Sequence, residues 1–189
     1  MSYGHTREAG RQAVQDALHF LRNDYSASCF TACWRDGRAR AIFVQQNTQQ
    51  YRFCGIKELA GAWKAPYRGK IMKDTFRVVG EGSAVLHTES FDGDPSGAEV
   101  TLIYPVGDEL RADHYCDLPN QPRFVAQTSP DPNVVDFKLR DVTNLVPPGA
   151  EYFHAPIHFV DANYHWQEWE WFKDGKRKEI VRMDFTRKQ

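Results

Sequence analysis

The sequence predicts a mostly β protein built as an antiparallel up-and-down barrel, and three observations predict it. After Lys70, strand-like runs alternate with tight-turn dipeptides almost to the end of the chain. No helical period intervenes between those runs, so each strand pairs most simply with its sequence neighbour. A meander of about nine strands leaves two bare edges unless it closes on itself, and closure removes both.

The elements follow in order. Between Thr6 and Arg22, Ala13, Val14, Ala17, Leu18 and Leu21 recur at helical spacing, with Arg7, Glu8, Arg11 and Asp16 outside the stripe, which predicts an amphipathic helix. Runs at 28–34 and 39–46 flank Asp36-Gly37, a strong hairpin signal. A second, shorter helix is predicted over 56–63, with Ile56, Leu59, Ala60 and Trp63 on one side. The strand runs are 71–79, 83–91, 99–105, 109–117, 122–128, 134–142, 151–160, 164–173 and 177–187. Between them lie Glu81-Gly82, Asp92-Gly93-Asp94, Gly107-Asp108, Pro119-Asn120, Pro130-Asp131-Pro132-Asn133, Pro147-Pro148-Gly149, Asp161-Ala162-Asn163 and Asp174-Gly175. The expected organisation is one domain over 1–189, with 1–56 an N-terminal helix-and-hairpin extension and 57–189 the barrel. The competing architecture is the cone-shaped α+β fold of nuclear-transport-factor-like proteins, which uses fewer strands than the runs counted here.

Composition narrows the function classes. Lys and Arg number 24 against 25 Asp and Glu, a formal charge of −1, so the chain lacks the positive field that grips a nucleic-acid backbone. The start, Met1-Ser2-Tyr3-Gly4-His5, shows no export signal, and no apolar run approaches the roughly 20 residues that cross a bilayer. The expectation is a cytoplasmic protein with reduced thiols at Cys29, Cys33, Cys54 and Cys116. Cys29 and Cys33 have no matching pair at zinc-finger spacing, and no metal or cofactor is expected.

Several residues are candidates for chemistry. In the run Leu110 to Leu118, period-two alternation puts His114 and Cys116 on the apolar face with Leu110 and Ala112. A buried imidazole there is either a satisfied core histidine or a polar anchor and proton-transfer group in a pocket. In the run Tyr152 to Val160, His154 and His158 share a face with Tyr152, and hydrophobicity does not rank that face against the one bearing Phe153 and Phe159. Arg123 opens a strand after Asn120-Gln121-Pro122, where a guanidinium can grip an entering carboxylate or tie the turn to a neighbour. Trp169 and Trp171 point the same way as His165 and Gln167 and form the inward aromatic pair, as ligand wall or core filling. The site set read from the sequence is therefore His114, Cys116, Arg123, His154, Trp169 and Trp171, with His114 the one candidate catalytic group. A Gly-rich phosphate loop, a Gly-x-Ser-x-Gly elbow and a His-Glu-x-x-His helix are all missing.

The stretch Leu59-Ala60-Gly61-Ala62-Trp63, then Val78-Val79-Gly80-Glu81-Gly82-Ser83-Ala84, His114-Tyr115-Cys116 and Asn120-Gln121-Pro122-Arg123 resembles a bacterial family of lipocalin-like proteins without assigned activity. Thr143-Asn144-Leu145, His154, Phe159-Val160-Asp161-Ala162, Gln167-Glu168-Trp169, Asp174-Gly175-Lys176 and Phe185-Thr186-Arg187-Lys188 agree with it, so the similarity runs over about 59–188. Leu118-Pro119 stands where that family usually has a small residue, and His154 and His158 stand in place of a compact His-x-His. The resemblance implies a calycin-type barrel with an interior pocket and supplies no reaction.

The leading expectation is a protein that binds a small apolar or amphipathic molecule inside the barrel. The alternative is a cofactor-independent isomerase, cyclase or hydratase with His114 as acid or base and Tyr115 or Arg123 positioning the substrate. A third is an interaction module docking a partner through its first helix or exposed aromatics. A small organic partner is expected, neither nucleic acid nor membrane is, and the composition leaves a homodimer open.

Overall fold

The structure is a computed structural model that describes residues 31–35, 38–42 and 49–188, apart from 93, 132, 149, 155 and 160–162; at 31–42, 94–96 and 153–159 only the backbone is described. The chain falls into two compact units, Met1–Gln45 and Gln46–Gln189. The helix expected over Thr6–Arg22 lies outside the described residues. What is described of the first unit is an antiparallel pair, β1 (Thr31–Arg35) and β2 (Arg38–Ile42), registered from Thr31 opposite Ile42 to Arg35 opposite Arg38. The Asp36-Gly37 dipeptide that signals a hairpin in the sequence lies outside the described residues.

The second unit opens with α1 (Gln49–Glu58) and continues through β3 (Gly61–Tyr67), β4 (Lys70–Val79), β5 (Ala84–Phe91), β6 (Asp94–Val106), β7 (Glu109–Tyr115), β8 (Gln121–Gln127), β9 (Val134–Thr143), β10 (Glu151–His154), β11 (Pro156–Phe159), β12 (Tyr164–Lys173) and β13 (Lys176–Arg187). Each of the nine strand runs read from the sequence is a strand or, at 151–160, two short strands. Consecutive strands pair antiparallel from β3 to β9, β9 pairs β11, and both β10 and β11 lie against β12. With β12 on β13 and β13 on β3, ten strand positions form a nearly closed barrel. The closing ladder is short, with Thr186 opposite Lys64 and Arg187 opposite Trp63.

One expectation is corrected. The second helix is Gln49–Glu58, not 56–63, and Trp63 belongs to β3. Ile56, Leu59 and Trp63 do have helical spacing, but the helix ends in turns from Leu59 N–H to the Ile56 carbonyl and Ala60 N–H to the Lys57 carbonyl, 3.1 Å each. Gly61 then takes φ +134°, a conformation that favours glycine, and a Cβ there would stand 2.6 Å from Arg187 Nη1. The chain leaves Gly61 as a strand whose alternation buries Trp63 and Ala65.

α1 buries Phe53, Cys54 and Ile56, and Leu59 beyond its end is buried with them. Its Arg52, fully buried, donates to the Ser129 carbonyl (2.9 Å) and the Val134 carbonyl (3.2 Å), and Gln49 donates to the Ala126 carbonyl (3.1 Å). These bonds tie the helix to the β8–β9 connection, and its contacts with β4, β6 and β7 place it across that end of the barrel. Phe53, Ile56, Phe76, Val85, Ile103, Leu110, Phe124, Val135 and Phe185 form one apolar core beneath it. Burying a side chain of this size contributes roughly 1.5–3 kcal/mol, so this end supplies much of the folding drive. The outer faces carry ion pairs such as Arg177–Glu170 at 2.7 Å and Arg182–Asp184 at 3.0 Å. No described helix is long and apolar enough to cross a membrane.

Candidate functional site

Away from α1 the barrel interior turns polar. Alternation along each strand sends Asp74 and Phe76 of β4, Val85, His87 and Glu89 of β5, Thr101 and Ile103 of β6, and Ala112 and His114 of β7 to the buried face. Register then stacks these residues in tiers. Val85, Ile103 and Ala112 are successive cross-strand neighbours at the apolar end. Phe76, His87, Thr101 and His114 follow, and Asp74, Glu89 and Glu99 make the next tier, three carboxyl groups side by side on adjacent strands. The β5–β6 ladder shifts register between Glu89 and Phe91, immediately past this acidic tier. From β12 come His165, Gln167 and Trp169, all buried.

Hydrogen bonds order this set. Trp169 Nε1 donates to Gln167 Oε1 (3.1 Å), and Gln167 Nε2 donates to Asp74 Oδ2 (2.7 Å). Asp74 forms an ion pair with His87, and His165 Nε2 lies 3.3 Å from its other oxygen. His165 sits among Trp63, Phe76 and Phe185, with ring centroids 4.5, 5.6 and 4.9 Å away. Thr101 Oγ1 and His114 Nδ1 share a hydrogen bond of 2.9 Å, and His114 Nε2 faces Glu99 Oε2 at 3.6 Å. The His114 and Trp169 rings meet at 4.8 Å, which brings the β12 wall next to the Glu99 end of the acidic tier.

The electrostatics divide the groups. Burial pushes Asp74 up, but the His87 charge and hydrogen bonds with His165 and His87 outweigh it and hold the carboxyl below its usual range. Burial would depress His87, yet Asp74 above all, with Glu89 behind it, raises the imidazole to about 9. Burial raises Glu89 to about 8, against the pull of His87. Burial and the Asp117 charge raise Glu99 to about 7. Burial and the charge on His87 push His114 down to about 3, and burial lowers His165 too. At neutral pH the interior thus holds one ion pair, two neutral imidazoles and two carboxyls poised to gain or lose a proton. Glu99 keeps 34% of its side-chain exposure while Glu89 beside it is 3% exposed, so the tier runs from solvent to the interior.

The residues singled out from the sequence are only partly brought together. His114 and Trp169 face inward and touch. Cys116 lies just past the end of β7, half-buried, its thiol pushed up to about 11 by burial, and Trp171 is half-buried near the irregularity in the β12–β13 ladder. Arg123 does not join the inward set: Pro122, Phe124 and Ala126 take the buried face of β8, so Arg123 points outward and pairs with Asp141, the tie to a neighbour rather than the grip on an entering carboxylate. His154 lies on β10 opposite Glu170, and His158 on β11 opposite Trp166. Asp74, His87, Glu89, Glu99 and Thr101 were not singled out. Their signal was present as polar residues in phase with Phe76, Val85 and Ile103 along three consecutive strands. Among the described residues, no group of three or more His, Cys, Asp or Glu is placed to hold a metal ion.

No protein-family model matches the chain, and no curated protein sequence matches it. Among solved structures, the chain is similar to a protein of unknown function from the DUF3598 family of Nostoc punctiforme, with 12% identity and a TM-score of 0.48. That alignment covers 70% of this chain and 49% of the other, so the chain spans about half the length of that protein.

Proposed function

We propose that this protein holds a small amphipathic organic molecule inside the barrel, at the end away from α1. The observation that carries the reading is the inward tier Asp74–Glu89–Glu99 beside Trp169. A barrel serving only as a scaffold gains most by filling its interior with apolar side chains, because buried carboxyls cost several kcal/mol unless paired. Sequential antiparallel pairing and near closure support a lipocalin-like use of the interior, with polar groups to orient the occupant and an aromatic wall to cover it. The enzymatic alternative, with His114 as acid or base, finds less support. An imidazole depressed to about 3 has no proton to give near neutral pH and accepts one weakly.

The test is displacement of an environment-sensitive naphthalene dye, followed by Trp fluorescence. The dye should bind the full chain and be lost on Thr101→Trp, which fills the tier, while Arg123→Ala on the outer face leaves it unchanged. Dye binding that survives Thr101→Trp would place the site elsewhere and overturn the reading.

A further inference from the structure

The chemistry of the occupant, given the interior site proposed above, is set by the carboxyl groups that line it. We infer that the molecule held in the barrel carries an ammonium group, seated between Glu89 and Glu99, with its apolar part against Trp169.

Glu89 provides the observation independent of the row itself. It is 3% exposed, and among the described residues it has neither a hydrogen bond nor an ion pair. Buried carboxyls nearly always keep a partner, so one without any marks acceptor capacity left for something else. The neighbouring polar groups are already engaged: Asp74 by His87, His165 and Gln167, and His114 by Thr101. The His87 imidazolium is committed to Asp74, the Arg52 guanidinium is engaged by the Ser129 and Val134 carbonyls, and His114 opposite Glu99 is a neutral ring that supplies no counter-charge. A ligand bearing a carboxylate would meet three acidic groups, whereas an ammonium supplies three N–H donors to two adjacent carboxyls. The Trp169 ring, near Glu99 through His114, adds a face that attracts a cation or an apolar chain alike.

Seating an ammonium there favours the ionised form of both glutamates. Glu89, raised to about 8, is largely protonated at pH 7 when the site is empty, so its carboxyl proton passes to the buffer as the ammonium binds. Asp74, His87, Glu99, His114 and His165 are the other titratable groups facing this part of the interior, and half-buried Cys116 and exposed Asp117 lie near its Glu99 end.

Calorimetry on the full chain with n-octylammonium, n-octanol and n-octanoate tests the inference. Octylammonium should bind at least about tenfold more tightly than the other two, because only it makes charge-assisted bonds to both carboxyls. Its apparent enthalpy at pH 7 should differ between phosphate and Tris by the ionisation heat of up to about one and a half protons released per ligand, most of it from Glu89. Glu89→Gln and Glu99→Gln should each weaken octylammonium by about tenfold, and Glu109→Gln, on an exposed position, should not. Glu99 is partly exposed, so its variant stays informative if Glu89→Gln does not fold. Octanol or octanoate binding as tightly as octylammonium would overturn the ammonium while leaving the interior site intact. Failure of all three probes and of the dye would overturn both.

Discussion

The guanidinium of Arg187 lies over the indole of Trp63, 4.2 Å from the ring centroid, and joins the last strand of the barrel to the first. The same group donates to the Ala60 carbonyl (2.8 Å) and the Glu58 carbonyl (3.0 Å), while Trp63 Nε1 donates to the Leu59 carbonyl (2.8 Å). One side chain therefore caps the end of α1 and closes a seam whose ladder has only two registered pairs.

Arg187→Ala should destabilise the barrel by about 1–3 kcal/mol, from the lost carbonyl bonds and ring contact. Arg187→Lys should fall between, since an ammonium keeps the charge over the ring but lacks the planar fork that reaches both carbonyls. Urea denaturation followed by far-UV circular dichroism measures both. A wild-type midpoint for the alanine variant would assign the strength of the seam to the backbone ladder instead.

The ion pair between Asp74 and His87 is buried on both sides. Removing one partner of such a pair strands the other charge, so Asp74→Asn should cost about 3–5 kcal/mol. Adding His87→Phe should recover part of that loss, because it deletes the stranded imidazolium and keeps a ring to stack on Phe76, as His87 does at 4.3 Å. The check is a double-mutant cycle in guanidinium chloride; strictly additive losses would mean the two residues are not coupled.

Stability should peak in mildly acidic solution and fall on both sides. His114, lowered from 6.5 to about 3, contributes stability that is present above 6.5 and lost as pH falls from there towards 3. Glu89 and Glu99, raised from 4.5 to about 8 and about 7, contribute stability that is full below 4.5 and lost as pH rises through those values. His87, raised from 6.5 to about 9, adds to the same alkaline loss. Glu89→Gln should therefore melt less steeply between pH 6 and pH 9 than the wild type and exceed it at pH 9, at about 2–4 °C per kcal/mol for a chain of this size. Parallel melting curves for the two proteins across that range would show that Glu89 ionises freely in the folded state.

The strands were legible because their signals are local. Period-two alternation and turn dipeptides mark nine of the runs, and the same alternation turned His114 and Trp169 inward. β3 was not legible: Ile56, Leu59 and Trp63 imitate a helix, Lys64-Ala65-Pro66 carries little strand character, and pairing with β4 and β13 makes the segment a strand. For Arg123 the sequence left open a grip on an entering carboxylate or a tie to a neighbour; Pro122, Phe124 and Ala126 take the buried face, and the outward Arg123 ties to Asp141. The acidic tier lay beyond any local pattern. Asp74, Glu89 and Glu99 are separated along the chain, and only strand register sets them side by side, where a slip of one residue would turn any of them to the outer face. Their burial, and with it the displacement of their protonation from ordinary values, depends on closure by β12 and β13, which bring His165, Gln167 and Trp169 across the interior from the far end of the sequence.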